Sequence, residues 1–238
     1  MSDILGGERW RVLTGDCLDL LRGISGVDAV VSDPPFGMNW DTNPQRFTAG
    51  RGGQGVQGSR PVLNDDKPFD PSPWLNFPKV ILWGSNHYAE RLPVGTSLVW
   101  VKKQESMYGK FLSDGELGWQ KGGHGIYVFR HIWNGVARES ENGEHYHPTQ
   151  KPVALMEWLI GRLNLPPDSI ILDPFCGSGT TGVAAMRLGM RFLGCELNEQ
   201  YADIARARIA AAAAQPRLDF DAPDQAPKPK YTTGAMEL

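Results

Sequence analysis

The sequence predicts an α/β domain with a mainly parallel sheet and helices on both faces. Three observations support this. Short apolar runs typical of buried strands alternate with segments of helical period. A glycine-rich turn joins a strand to a helix late in the chain. The length of 238 residues suits one domain better than two. In such sheets ligands bind beyond the carboxyl ends of the strands.

The elements follow in order along the chain. The runs that predict strands are RWRVLTGD, DAVVSD, KVILWG, SLVWVKK, ELGWQ, GIYVFRHIW, SIILD and RFLGCE. The runs that predict helices are CLDLLRG, SNHYAERL, VALMEWLIGRL, TTGVAAMRLG and NEQYADIARARIAAAAA. Gly23 ends the first of these helices and Pro152 begins the third. ELGWQ and GIYVFRHIW can also be the two arms of a hairpin.

Two segments lack the pattern of a folded element. Residues 41–62 contain five glycines and three arginines without a hydrophobic period, which predicts a long flexible loop. From Pro216 onward the chain is rich in Pro, Asp and Lys, which predicts a disordered tail. We therefore expect a single domain over residues 1–215, followed by a tail over 216–238.

Composition and charge limit the classes of function. No apolar stretch has the length of a membrane span, and no secretory segment precedes the first strand. Cys17, Cys176 and Cys195 form no CxxC pair, which predicts a reducing cytoplasm and no metal site. The net charge is −3, yet residues 44–151 carry 13 Lys and Arg against 10 Asp and Glu. This basic middle segment permits a polyanionic partner such as DNA.

Five residues follow predicted strands directly and should meet at one edge of the sheet: Asp16, Asp33, Gly84, Asp173 and Glu196. The turn after Asp173 has the G-x-G-x-x-G spacing of a dinucleotide site, so a nicotinamide cofactor is one interpretation. A carboxylate beside a pyrophosphate is unfavourable, however, because two like charges repel. Asp173 suits instead the ammonium and sulfonium of S-adenosylmethionine, and Glu196 can accept from ribose hydroxyls.

Two further signals agree with that cofactor. Asp16 and Cys17 follow the first strand, where a carboxylate can accept from the adenine amino group. HPTQKP, residues 147–152, is either a turn that caps the next helix or a segment that holds the methionine end through Thr149 and Lys151.

SDPPF, HPTQKP and DPFCGSGTTG, in this order, resemble the permuted β group of DNA amino-methyltransferases over roughly residues 10–213. WGSNHYAERLP, LVWVKK and SDGELGW are similar to phage and prophage members. For this family, the resemblance implies either a solitary enzyme or one paired with a nuclease on another chain, as in restriction–modification. The resemblance implies a circularly permuted, Rossmann-like methyltransferase fold that uses S-adenosylmethionine. It implies a catalytic tetrad of Asp33, Pro34, Pro35 and Phe36. The candidate cofactor residues are then Asp16, Cys17, Thr149, Lys151, Asp173, Phe175, Gly177, Gly179, Thr180 and Glu196.

The tetrad has a chemical rationale. An exocyclic amine of a base is a weak nucleophile because its lone pair is delocalised into the ring. The Asp33 carboxylate and the Pro34 carbonyl can accept its two hydrogens and free that pair, and the prolines hold the carbonyl in place. Phe36 offers a face on which an extruded base stacks. The N6 amine of adenine is the favoured target. The alternatives are the N4 amine of cytosine, an amine in RNA or a glutamine side chain, and a non-catalytic nucleotide-binding module.

DNA contacts are expected from the basic middle segment, while the oligomeric state, a homodimer included, stays open. The candidate DNA-binding residues are Arg46, Arg51, Arg60, Lys121, Arg130 and Arg138. Relatives often insert a large target-recognition segment before HPTQKP, but here residues 121–146 supply only 26 positions. So few side chains predict a short target of about two to four base pairs.

Overall fold

The computed structural model describes residues 4–38, 65–110, 113–134, 137–143, 146–147 and 149–215. The described residues form one seven-stranded sheet. Its strands are β1 (Trp10–Thr14), β2 (Ala29–Ser32), β3 (Lys79–Trp83), β4 (Gly95–Val101), β5 (Gly115–Arg130), β6 (Ile170–Asp173) and β7 (Arg191–Glu196). The helices are α1 (Cys17–Leu20), α2 (Val153–Arg162), α3 (Thr180–Arg187) and α4 (Glu199–Ala213).

The strand order, β1-β7-β6-β2-β3-β5-β4, confirms the permuted arrangement. β6, which leads into the glycine turn, comes sixth along the chain yet lies inside the sheet, between β7 and β2. β1 extends the sheet beyond β7, and β3 continues it beyond β2, both in parallel register. The strand connections reverse direction between β6 and β2. A crevice opens at such a switch point, beyond the carboxyl ends of the strands.

The two faces of the sheet are covered differently. α2, α3 and α4 pack on one face around Ile81, Leu155 and Phe192, which are completely buried. The other face is covered by α1 and by the segment that carries Phe69 and Trp74. The predicted helix SNHYAERL also belongs to this second face, but it forms two short 3-10 turns, 85–87 and 89–91, instead of an α-helix.

The predicted strands ELGWQ and GIYVFRHIW are both present in β5, but they do not form a hairpin with each other. Val99 of β4 pairs with Leu117 in the first half of β5 and with Val128 in the second half. The chain reverses at Gly122 and Gly123, whose φ angles are 79° and 69°. β4 therefore lies between the two halves of β5.

Several predictions concern residues outside those described. The predicted loop 41–62, with Arg46, Arg51 and Arg60, lies wholly outside the described residues. The predicted tail 216–238 does so as well. Within the described ranges no helix is both long and apolar enough to cross a membrane.

Candidate active site

A cavity of about 980 Å³ opens at the carboxyl ends of the central strands. Twelve of the candidate residues line it: Asp16, Cys17, Asp33, Pro34, Pro35, Phe36, Arg138, Thr149, Lys151, Phe175, Gly177 and Glu196. Residues from both ends of the chain thus meet at one edge, as expected from their positions after strands. Asp173, Gly179 and Thr180 are not part of the lining.

Glu196, at the end of β7, faces the glycine turn. Its Oε2 accepts from the backbone N–H of Gly177 at 2.9 Å, and its Oε1 accepts from Asn198 N at 2.8 Å. Each oxygen therefore holds one backbone donor and retains capacity for a second. Burial raises the pKa of this carboxyl, although the backbone donors oppose the rise.

Gly177 and Gly179 have different roles. Gly177 has φ 51°, and a Cβ there would meet only the His147 ring at 3.9 Å, so it presents open backbone to the cavity. A Cβ on Gly179 would lie 2.9 Å from Ala205 of α4. Gly179 and Thr180 are thus placed where α3 packs on α4, and Arg208 contacts the Thr180 hydroxyl at 3.3 Å. Their contact with a cofactor stays a prediction.

Asp173 is only 2% exposed and lies behind the cavity wall. Its Oδ1 accepts from the Ser32 hydroxyl at 2.5 Å and from Phe175 N at 3.1 Å. It therefore joins the end of β2, just before Asp33, to the start of the glycine turn. Burial raises the pKa of Asp173 to about 6, although the hydrogen bonds from Ser32 and Thr181 lower it in part.

This raised pKa makes stability depend on pH. The folded state keeps the Asp173 proton up to about pH 6, whereas an unfolded aspartate loses it near pH 4. The contribution of this group to folding stability is therefore full below about pH 4 and is lost as the pH rises through 6, by about 3 kcal/mol. Urea unfolding of the wild type and of Asp173→Asn at pH 4.5 and pH 7 measures it. Equal pH dependence in the two proteins would contradict the assignment.

Asp16 and Cys17 begin α1. The Asp16 carboxylate accepts from Leu18 N at 2.8 Å and caps the helix, and Asp16 is one of the residues that line the cavity. Burial, and next the charge of Asp16, raises the pKa of Cys17 to about 12. The Cys17 thiol is therefore neutral and not nucleophilic at physiological pH.

On the opposite side of the cavity, Asp33 pairs with Lys151 across 118 positions of the chain. The Lys151 ammonium donates to Asp33 Oδ2 at 2.6 Å. The other oxygen, Oδ1, is buried and has no hydrogen-bond partner among the described residues. Burial raises the pKa of Asp33, while the charge of Lys151 lowers it.

Glu116 and Lys102 extend this pair, and sequence reasoning missed both. Lys151 Nζ lies 3.4 Å from Glu116 Oε2, which also accepts from Trp83 Nε1 at 2.9 Å. Lys102 donates to Glu116 Oε1 at 2.7 Å. Burial by itself would raise the pKa of Glu116, but the positive charges of Lys151 and Lys102 lower it to about 2. The signal for Glu116 was a charged side chain next to the apolar Leu117 and Trp119 of a predicted strand.

Phe36 packs against two residues of the turn after β3. Its ring is stacked on His87, with centroids 4.6 Å apart and an interplanar angle of 9°. A Cβ on Gly84 would lie 1.9 Å from the Phe36 ring, so only glycine permits this packing. The chain beyond Phe36 is held by the buried carboxylate of Asp65, which accepts from Gly37 N at 2.9 Å. His87 and Asp65 were not found from the sequence.

His147 and Thr149 lie in the HPTQKP segment. Thr149 is exposed, and its hydroxyl lies 3.1 Å from His147 Nδ1. The His147 ring packs edge-on against Tyr201 at 4.3 Å between centroids. Burial, and then the charge of Lys151, lowers the pKa of His147 to about 4, so this imidazole is neutral at physiological pH.

Only one of the candidate DNA-binding residues within the described ranges lines the cavity. Arg138 lies 4.1 Å over the Trp133 ring near the cavity. Lys121 is exposed and donates to Phe77 O, and Arg130 pairs with Glu105 at 3.4 Å. No group of three or more His, Cys, Asp or Glu within the described ranges could hold a metal ion.

The sequence matches one family model. The model, described as DNA methylase and covering N6 and N4 methyltransferases, matches residues 79–207. The Type II methyltransferase M2.DpnII of Streptococcus pneumoniae is 47% identical over 81 residues. M2.LlaDCHI of Lactococcus lactis subsp. cremoris is 43% identical over 79 residues. These alignments cover 34% and 33% of this chain but only 30% and 29% of the relatives, so the chain spans less than a third of their length.

Solved structures share the fold at low sequence identity. The structure of M1.HpyAVI in complex with S-adenosylmethionine has a TM-score of 0.53 and 20% identity, over 84% of this chain and 98% of that one. The PvuII DNA methyltransferase, named as cytosine-N4-specific, has a TM-score of 0.53 and 16% identity, over 84% and 86% of the two chains. These similarities confirm the predicted Rossmann-like methyltransferase fold.

Proposed function

The chain belongs to the DNA methylase family, and from this premise we propose that it methylates the exocyclic N6 amine of adenine in DNA, with S-adenosylmethionine as the methyl donor. The observation that carries the proposal is Asp33 Oδ1, a buried acceptor without a partner among the described residues, on a residue that lines the same cavity as Gly177 and Glu196. A hydrogen-bond donor from a substrate is the partner that such an atom lacks.

The residues on the glycine-turn side fit the cofactor. Glu196 keeps one acceptor site on each oxygen, which suits two neighbouring ribose hydroxyls. Phe175 adds an apolar wall, supported edge-on by Trp74 at 5.8 Å. When bound, S-adenosylmethionine supplies a methyl carbon whose bond to sulfur breaks as the bond to nitrogen forms, with the electron pair left on sulfur. Asp173, behind this wall, fixes Phe175 through its backbone N–H.

The residues around Asp33 fit an amine. Asp33 Oδ1 and the Pro34 carbonyl accept one amine hydrogen each, which draws the nitrogen lone pair out of the ring. Pro34 and Pro35 restrict the backbone there, so the acceptors are in place before the reaction. The methylated amine must lose one proton. Asp33 Oδ1 is the acceptor for it, and the raised pKa makes this carboxylate a stronger base.

The target base must leave the duplex to reach this cavity. Phe36 is the stacking surface for it, worth about 1–3 kcal/mol. Because His87 covers one face of Phe36, an extruded base reaches only the opposite face unless His87 moves.

A methylation assay with product identification tests the proposal. Purified protein is incubated with labelled S-adenosylmethionine and unmethylated plasmid DNA, and the nucleosides are separated by mass. We expect N6-methyladenine. N4-methylcytosine would retain the family and correct the base, because the same two acceptors can hold either amine. No label in DNA would contradict the proposal.

The target should be short, about two to four base pairs. Residues 121–146, the proposed recognition segment, place only Arg138 among the candidate DNA contacts at the cavity. Reading one base pair takes about 1–3 kcal/mol of well-placed contacts, and several side chains must serve phosphates instead. Methylome sequencing of cells that express the protein measures the motif. A strict six-base motif written by this chain alone would be inconsistent with this expectation.

A further inference from the structure

We propose that Lys151 is the positioning residue of the catalytic carboxylate, fixing Asp33 by its Oδ2 atom so that Oδ1 faces the target amine. This inference rests on the proposed function, in which Asp33 grips the amine. It replaces the expectation that Lys151 holds the methionine end of the cofactor.

The position of the Lys151 ammonium is the first argument. The side chain is only 8% exposed, and its Nζ lies 2.6 Å from Asp33 Oδ2 and 3.4 Å from Glu116 Oε2. An ammonium has three hydrogens, and two carboxylates of this chain lie close enough to engage two of them. A cofactor carboxylate bound to the remaining hydrogen would be a third negative charge beside Asp33 and Glu116, which repulsion between like charges disfavours.

The second argument is the asymmetry of Asp33. One oxygen is saturated by a charged donor at short range, whereas the other is buried and unpaired among the described residues. The carboxylate cannot turn about its Cβ–Cγ bond without breaking the ion pair. The ion pair therefore selects the oxygen that receives the amine hydrogen. The positive charge also opposes the rise that burial causes in the pKa of Asp33.

Glu116 holds Lys151 in turn. Both Glu116 oxygens are engaged, one by Lys102 at 2.7 Å and the other by Trp83 Nε1 at 2.9 Å. Trp83 is completely buried at the end of β3. The core side chain of Trp83 thus fixes Glu116, and Glu116 holds Lys151. Lys151 in turn orients Asp33.

The test is Lys151→Met, which keeps the length of the side chain and removes its charge. We expect kcat for DNA methylation to fall roughly 100-fold, with the cofactor Kd, measured by calorimetry, unchanged within about twofold. If Lys151 held the methionine carboxylate, Kd would instead weaken about tenfold or more, because a charge-assisted hydrogen bond would be lost. That result would overturn the inference. Lys67→Met, at the exposed rim of the same cavity, is the matched control for loss of a lysine charge.

A second measurement is independent of activity. The Asp33 carboxyl carbon is assigned by NMR as the signal missing in Asp33→Asn, and its titration is followed. Besides Lys151, the titratable groups that interact with Asp33 include Glu116, Lys102, Asp173 and Tyr88. We expect Lys151→Met to move the Asp33 midpoint to higher pH. An unchanged midpoint of the Asp33 titration would refute the role of Lys151. If the midpoint shifts but the wild-type protein does not methylate DNA, only the proposed function is refuted.

If Lys151→Met does not fold, Glu116→Gln tests the same contact from its other side. Glu116→Gln leaves Lys151 paired with Asp33 but removes the negative charge of Glu116, which holds the Lys151 ammonium in place. We expect a lower kcat and unchanged cofactor affinity. A weaker cofactor affinity with unchanged kcat would contradict the inference.

Discussion

Asp33→Asn should reduce methyl transfer by about 10²- to 10³-fold and leave cofactor affinity within a few-fold of the wild type. The substitution replaces an acceptor by an amide that cannot offer two equivalent oxygens. In the wild type, one Asp33 oxygen pairs with Lys151, and the other, which has no partner among the described residues, is the proposed acceptor for the amine. We therefore expect the substitution to lower kcat, because it weakens the contact that holds the amine during methyl transfer. Single-turnover methylation and calorimetry with the cofactor separate the two effects.

Two companion variants sharpen this experiment. Asp70→Asn makes the same chemical change at the exposed rim of the cavity, where the carboxylate accepts from the backbone N–H and the hydroxyl of Ser72. It should keep wild-type turnover. Asp33→Ala removes the side chain altogether and should be at least as inactive as Asp33→Asn. Retention of a tenth or more of the wild-type kcat by either Asp33 variant would show that the proposed grip is wrong.

Glu196→Ala should give the largest loss of cofactor binding, about 10- to 100-fold in Kd, equivalent to about 1.5–3 kcal/mol. The carboxylate is the charged acceptor proposed for the ribose hydroxyls. It also fixes the backbone of Gly177 and Asn198 on either side. Its removal thus takes away both the acceptor and the shape of the turn. Calorimetry with S-adenosylmethionine measures the change.

The control for Glu196→Ala is Glu199→Ala. Glu199 is close in sequence but exposed in the first turn of α4, where it pairs with Arg206 at 2.9 Å. It should bind the cofactor as the wild type does. Unchanged affinity in Glu196→Ala would remove Glu196 from the cofactor site.

Much of the site was predictable because sheet geometry follows from strand pattern. Asp16, Asp33, Gly84 and Glu196 each end a short apolar run, and parallel strands bring such ends to one edge. The same logic placed Asp173 at this edge correctly in the fold. It could not tell that the Asp173 side chain turns away from the cavity to bind Ser32 and Phe175, since this depends on local packing.

The contacts between distant side chains were beyond the sequence. Lys151 precedes α2 and Asp33 follows β2, and no spacing rule connects two residues 118 positions apart. The partners of Glu116 were unpredictable for the same reason, because they come from the end of β3, from the residue after β4 and from the HPTQKP segment. SNHYAERL was predicted as a helix from its composition. It forms two 3-10 turns instead, with Gly84 at φ 72° before them and the Phe36 ring packed against it.

The pairing of β1 with β7 has a consequence for folding kinetics. Trp10 is in register with Phe192, so the first strand of the sheet gains its strand partner about 180 positions later in the chain. Contacts of such large sequence separation are formed against a high loss of chain entropy, and topologies that depend on them fold slowly. During synthesis, the apolar residues of β1 remain unpaired in the sheet until β7 has been made. A nascent chain interrupted before β7 would expose this strand to association with other chains.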